Sequence, residues 1–226
     1  MAYQVRQRDP LFDRDTQAVL ERRGKELLGV GLIVLAVLAV MLLGSYSQDD
    51  PSWLSATEEP AENLLGRFGA SLAQPAYVIV GWGAWAVPVV FLVWGLRFLL
   101  HRGDDRALNR AIFAPIAVAV ASVYAATHVP SAGWTHSFGM GGLFGDTVLG
   151  AVLNILPFGS GLALKVLSLL VGVGMLAMLA FVLGFTGPEL RALGRFLLVG
   201  VVLTYAAALR LGSAVLSATL HIARHG

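Results

Sequence analysis

Hydrophobic positions fall into five long runs that are separated by polar segments. Four runs carry no Asp, Glu, Lys or Arg, and the fifth carries only Arg210. The runs are Leu27–Gly44, Pro75–Leu96, Ala111–Val129, Val166–Phe185 and Phe196–Leu220. A hydrocarbon core about 30 Å thick is crossed by about 20 helical residues at ~1.5 Å each. The pattern predicts an all-α, polytopic membrane protein with four transmembrane helices, short interfacial helices and a fifth apolar C-terminal segment.

Composition supports lipid as the solvent of this chain. Of 226 residues, 57% are hydrophobic and 13% are charged, whereas a soluble domain has about 25% charged residues. Intrinsic disorder is excluded because it requires low hydrophobicity. A disulfide scaffold is excluded because the chain contains no cysteine.

These runs divide the chain into segments. Residues 1–26 form an N-terminal segment that lacks the pattern of a cleaved signal peptide, and residues 16–26 are expected to form a short helix in which Glu21 pairs with Lys25. The four-span domain covers 27–190, with spans near 27–46, 75–97, 111–129 and 164–185 and outer loops at 47–74 and 130–163. An apolar or amphipathic C-terminal segment follows at 191–226.

Basic residues predict the orientation of the chain. Residues 1–26, 97–110 and 186–195 together hold twelve Lys and Arg, whereas the alternate segments hold only Arg67 and Lys165. Because cytoplasmic loops are enriched in Lys and Arg, the N-terminus is predicted to be cytoplasmic. The loops at 47–74 and 130–163 are then on the outer side of a bacterial inner membrane.

The fifth run permits two placements. A polar stripe follows one face of a helix in this run, formed by Arg210, Ser213, Ser217, His221 and Arg224. This stripe favours a helix that lies in the cytoplasmic interface. A fifth span that turns the stripe towards the interior of a bundle remains the alternative, with Arg210 inside the bilayer.

Both outer loops are expected to contain a short helix. In the first loop, Asn63 is a candidate N-cap, and Leu64, Leu65, Phe68 and Leu72 recur at helical spacing on the outer face up to Ala73. In the second loop, the segment 143–158 is too short and polar to cross readily. It is expected to form an interfacial or re-entrant helix that ends at Pro157.

Short motifs in these loops resemble a known family. Ser45-Tyr46 and Asp50-Pro51-Ser52 follow the first span, Asn63, Gly66, Gly69 and Ala70 precede the second, and Gly141, Gly142 and Gly145 precede the fourth. Their order and spacing resemble the amino-terminal four-helix membrane domain of the FtsK/SpoIIIE family of bacterial DNA translocases. The resemblance covers residues 20–190.

The resemblance implies a role in cell division and chromosome segregation. In this family the membrane domain anchors the protein at the division septum, assembles with other septal membrane proteins and forms homo-oligomers. A cytoplasmic ATPase motor beyond a linker pumps DNA. The sequence ends at Gly226 without a linker or a motor, so this chain itself is not expected to bind nucleic acid.

Catalytic chemistry finds little support in the sequence. A phosphate-binding loop needs a Gly-x-x-x-x-Gly-Lys-Ser/Thr pattern, and neither Lys25 nor Lys165 follows such a loop. Gly139-x-Gly141-x-x-x-Gly145 departs from the dinucleotide fingerprint and lacks its strand and helix context. We therefore predict no ATPase or other catalytic site, no cofactor and no metal.

A small transporter or channel subunit is the alternative function. Carriers need polar groups inside the membrane to hold their substrates. Arg210 is the one candidate for such a pathway charge, because the first four spans are uncharged.

Overall fold

The computed structural model describes residues 13–55, 57, 59–103, 106–156 and 160–225. These residues form helices joined by turns and loops, and they contain no strand. The helices are α1 Arg14–Gly44, α2 Gly66–Val80, a 3-10 segment Gly81–Trp85, α3 Ala86–Leu99, α4 Ala107–Ala111, α5 Ala114–Ala126, α6 Gly142–Ile155, α7 Ser160–Val182 and α8 Gly187–His225. The chain divides into two compact units, Met1–Gly184 and Phe185–Gly226.

Five helical stretches are long and apolar enough to cross a membrane. They are Asp15–Gly44, Gly66–Leu99, Asn109–Ala126, Gly161–Val182 and Gly187–Ala207. Large apolar side chains on these helices are exposed, among them Leu169 and Leu176 on α7. Such exposure is stable in lipid, where hydrocarbon replaces water around the helices. The prediction of a polytopic helical membrane protein is confirmed.

Helix α1 is longer than the first apolar run. It begins at Arg14, so the short helix expected before residue 27 is continuous with the span. The expected pair forms, with Lys25 Nζ 2.7 Å from Glu21 Oε1. The helix ends at Gly44, so Tyr46, which the predicted span includes, lies beyond the helix.

Glycines allow α1 and α3 to pack closely. A Cβ added at Gly29 would lie 2.8 Å from the carbonyl oxygen of Gly95, and one added at Gly95 would lie 2.7 Å from the side chain of Ile33. Near the other end of the pair, the Trp85 ring lies beside Gly44. Burial of apolar side chains provides little driving force for helix association in lipid, so the van der Waals contacts of closely spaced backbones are the main stabilising interaction here.

The predicted second span is interrupted. Helix α2 continues through Pro75 to Val80, so the predicted boundary at residue 75 falls inside a helix. Gly81 then adopts φ +55° and ψ −134°, which no α-helix contains, and the chain changes direction there. The expected N-cap is also different, because Leu65 occupies the cap position of α2 and Asn63 lies two residues before it.

Helix α2 is held to the end of α1 by hydrogen bonds. Just ahead of α2, Asn63 donates to the carbonyl oxygen of Leu42, and near its other end Tyr77 donates to that of Leu43. A helix of 15 residues is about 22 Å long. Residues at both ends of α2 are thus tied to the last turn of α1, whereas α1 packs mainly against α3.

Helix α5 lies at the centre of the first unit and packs against α6, α7 and the 3-10 segment. Helix α6 covers Gly142–Ile155, which agrees with the short helix expected in the second loop. Its expected end at Pro157 lies outside the described residues. Helix α6 also contacts α2.

The second unit contains one 39-residue helix, α8. It begins at Gly187, before the predicted start of the fifth run, and Arg210 is exposed on it. The side chains of Ser213, Ser217, His221 and Arg224 lie outside the described residues. Whether α8 lies in the interface or crosses the membrane stays a prediction.

Candidate functional site: the cap at the end of helix α1

The loops at 45–74 and 130–146 form a folded cap at the C-terminal end of α1. The last carbonyls of a helix have no partner within the helix, and in a membrane an unsatisfied carbonyl costs several kcal/mol. At the end of α1, Ser45 Oγ donates to the Met41 carbonyl at 2.6 Å. Asn63 Nδ2 donates to Leu42 at 2.9 Å, and Tyr77 Oη donates to Leu43 at 3.2 Å.

Asn63 connects the end of α1 to the start of α2. It is buried, and its Nδ2 also donates to the Ser45 carbonyl at 3.3 Å. Its Oδ1 accepts from the Leu65 amide at 3.0 Å, which turns the chain into α2. Gly69 and Ala70 lie on the buried face of α2, and any Cβ at Gly69 would collide with the Asn63 side chain.

The Asp50-Pro51-Ser52 motif closes the first loop. Asp50 is buried, and its Oδ1 accepts from the Glu62 amide at 2.7 Å. Ser52 Oγ accepts from the amides of Leu54 and Ser55, and its hydroxyl donates to the buried Gln74 of α2. The motif therefore fastens both limbs of the loop to each other and to α2.

Aromatic rings join the first loop to the second. Tyr46 stacks on Tyr77 with ring centroids 4.3 Å apart, and on His136 at 5.6 Å. Trp134 lies edge-on to His136 at 4.7 Å, and its indole donates to the Phe138 carbonyl at 2.6 Å. A polar contact adds to this junction, from Thr135 Oγ1 to Gln48 Oε1 at 2.9 Å.

Burial in this aromatic cluster shifts two ionisable groups. Burial, together with the nearby Tyr77, Asp50 and Asp49, raises the pKa of Tyr46 to about 12. Burial lowers the pKa of the His136 imidazole below its ordinary value. Both groups are therefore uncharged at neutral pH, as their stacking against other rings requires.

Glycines bring the second loop against α5 and the 3-10 segment. Gly141 lies against Ser122, whose hydroxyl donates to the Gly141 carbonyl at 2.6 Å. A Cβ at Gly145 would lie 2.5 Å from the Ser122 carbonyl oxygen. Gly142 has φ +66°, and a Cβ there would lie 2.6 Å from the amide of Gly81. Each position therefore needs glycine for close backbone approach.

The motif residues of the two loops meet in this cap. Gly66 differs from the other motif glycines because nothing packs closely against it. Its φ of +60° shows that glycine is needed there for the turn into α2. Sequence reasoning missed the side chains that complete the network, namely Gln74, Tyr77, Ser122 and Asp146. Asp146 Oδ2 accepts from the Gly139 amide at 2.6 Å. Polar residues in otherwise apolar helices were the available signal for Gln74 and Ser122.

A similar arrangement caps α7 at its C-terminal end. The Trp94 indole donates to the Val182 carbonyl at 2.9 Å, and Arg110 donates to Phe181 at 3.1 Å. The Arg110 guanidinium also lies 5.0 Å from the centre of the Phe181 ring. Distant side chains thus complete both helix ends.

Many polar groups of the cap are used in its own fold. Side chains such as Ser45, Ser52 and Asn63 bond to one another's segments or to backbone groups, and the described residues contain no group of three or more His, Asp and Glu that could hold a metal ion. Its serines take part in structural hydrogen bonds such as those of Ser45 and Ser52. The fold and this cap define a helical membrane domain.

Comparison with known proteins identifies the family. Residues 21–191 match the family described as the 4TM region of DNA translocase FtsK/SpoIIIE, and the chain belongs to that family. The match covers the membrane region of these proteins. No solved structure matches the chain significantly.

Several relatives are named DNA translocase FtsK. The protein from Azospirillum brasilense is 32% identical over 156 residues, which is 68% of this chain and 25% of the relative. That from Mesorhizobium japonicum is 32% identical over 76% of this chain and 20% of the relative. The protein from Bradyrhizobium diazoefficiens is 36% identical over 132 residues, which is 58% of this chain and 16% of the relative. The chain thus spans a quarter or less of the length of these relatives.

Gly145→Ala tests the packing of the second loop. Its methyl group would press on the Ser122 backbone, so we expect a loss of about 1–3 kcal/mol in unfolding free energy, as for other overpacked sites. Gly150→Ala is the matched control, because it lies on the same helix with nothing within 4 Å of its Cβ. Unfolding in detergent followed by circular dichroism measures both. Equal stability of the two variants would contradict the packing.

The pH dependence of the cap follows from His136. Because its pKa is lowered from 6.5 in the fold, its neutral form stabilises the cap above about pH 6.5, and this stabilisation is lost as the pH falls below that value. NMR of carbon-13-labelled imidazoles should give a midpoint below 6.5 for the signal that disappears in His136→Gln. A midpoint at or above 6.5 would show that this ring is not buried in the cluster.

Proposed function

We propose that this chain is the membrane anchor and division-septum assembly domain of a DNA translocase. It acts in cell division and chromosome segregation, and it tethers a cytoplasmic ATPase motor that is absent from residues 1–226. The observation that carries the proposal is the family match over residues 21–191, which includes every motif of the cap. The names of the relatives support translocation of DNA as the activity of the whole protein.

In this proposal the N-terminus is cytoplasmic and the cap faces the periplasm. The support is the distribution of Lys and Arg, twelve on the side of the N-terminus and two on the side of the cap. The first residues of α1 carry Arg22 and Arg23, which pair with Glu26 on a charged, exposed part of the helix. Such a charged turn is stable in water at the edge of the membrane.

The cap is the surface that we assign to septal partners. It holds its own shape through buried hydrogen bonds, so a partner would meet a preorganised surface and little ordering entropy would be lost on binding. Homo-oligomers would form through the exposed apolar faces of the spanning helices.

Localisation tests the proposal. A fluorescent protein joined to the N-terminus of residues 1–226 should concentrate at the septum of dividing bacteria. Gly145→Ala, which disturbs the cap, should spread the signal over the membrane, whereas the matched Gly150→Ala should stay at the septum.

Two results would count against the proposal. Uniform membrane fluorescence of the unaltered chain would contradict septal assembly. Septal fluorescence of Gly145→Ala at an unchanged level would show that assembly does not depend on the cap. Membrane extraction and an immunoblot control for the amount of each variant.

A further inference from the structure

A polar pocket opens beside α2 on the surface of the cap. It has a volume of about 530 Å³, and its walls include Ser52, Trp53, Ser55, Arg67 and Ser71. This volume lies within the range of small-molecule sites. The Trp53 indole donates to the Ser71 carbonyl at 2.7 Å, so the wall is fixed to α2. This hydrogen bond holds one wall of the pocket in place against α2.

The chemistry of the walls suits an anion. Arg67 supplies a guanidinium that is permanently charged and matches the geometry of a phosphate. Ser52, Ser55 and Ser71 place hydroxyl groups around it, and none of the described residues in the walls is acidic. Arg67 forms no ion pair with another described residue, so its charge is available to a ligand.

Next to the pocket, α2 exposes an apolar stripe. Phe68 and Leu72 lie four residues apart on α2, Leu64 lies just before the helix, and 71%, 47% and 66% of their surface, respectively, is accessible. The opposite face of α2 is buried and carries Gly69, Ala73 and other residues that pack on the protein. A stripe of this kind on a helix beside a membrane span is typical of insertion among acyl chains.

The position of α2 places this stripe at the edge of the membrane. Because Asn63 and Tyr77 both bond to the last turn of α1, α2 lies level with the end of that span. Trp53, which borders the pocket, is the type of residue that settles at the headgroup level. The polar pocket and the apolar stripe are thus neighbours where a lipid has its phosphate and its chains.

We propose that the pocket of Ser52, Trp53, Ser55, Arg67 and Ser71 binds the phosphate group of an anionic phospholipid, with the acyl chains along Leu64, Phe68 and Leu72. A lipid satisfies both surfaces at once, whereas a soluble phosphate would leave the stripe uncovered. A protein partner would have to supply an acidic group next to an apolar patch at this depth. The site would fix the depth of the cap in the membrane.

Binding of a short-chain lipid tests the site. The full chain in zwitterionic detergent is titrated with dihexanoyl phosphatidylglycerol while tryptophan emission is recorded. We expect a saturable change that Trp53→Phe removes. Arg67→Gln should weaken binding about tenfold, because it removes a charge-assisted hydrogen bond to phosphate. Arg191→Gln, which removes another exposed arginine outside the pocket, should leave binding unchanged.

Glycerol phosphate at the same concentrations separates the lipid from its headgroup. We expect no saturable change with it, because it has no acyl chains to cover the stripe. If glycerol phosphate bound equally well, the ligand of the pocket would be a soluble anion and not a lipid, and the proposal would be overturned. An unchanged affinity in Arg67→Gln, an equal loss in Arg191→Gln, or a signal that persists in Trp53→Phe would overturn the pocket itself. Circular dichroism confirms that each variant is folded.

Discussion

The carbonyl groups at the C-terminal end of a membrane helix must find donors where little water is present. At the end of α1 these donors are Ser45, Asn63 and Tyr77, which lie 4, 21 and 34 residues from their acceptors in the sequence. At the end of α7 they are Trp94 and Arg110. Each pair of partners fixes a loop or a neighbouring helix, so satisfying the helix ends also organises the rest of the fold.

The cap follows from this constraint. Asn63 and Tyr77 tie α2 to the end of α1, and the chain then needs a change of direction before α3, which packs against α1. Gly81 provides that change, and its amide approaches Gly142 of the second loop. The family motifs are therefore positions where hydrogen bonds or close backbone contacts shape one surface. A surface of this kind supports the anchor and assembly role that we propose.

Periodicity and composition predicted the helical membrane fold, because an apolar helix in lipid is determined by its own sequence. The pairing of Glu21 with Lys25 and the helix within 142–155 were predictable for the same local reason. The interruption at Gly81 was missed because a run of apolar residues does not show where its backbone changes direction. Ser122 and Tyr77 were missed because their roles depend on partners far away in the sequence, on other helices.

Hydrogen exchange of the full chain in lipid nanodiscs tests most directly whether the loops form a folded cap. The amides of Glu62, Leu64, Leu65 and Gly139 each donate to a side-chain oxygen within it. We expect these amides to exchange far more slowly than those of free peptide, and we expect Asn63→Ala to speed the exchange at Leu65. Exchange of all four amides at the rate of an unstructured loop in the unaltered chain would contradict the folded cap.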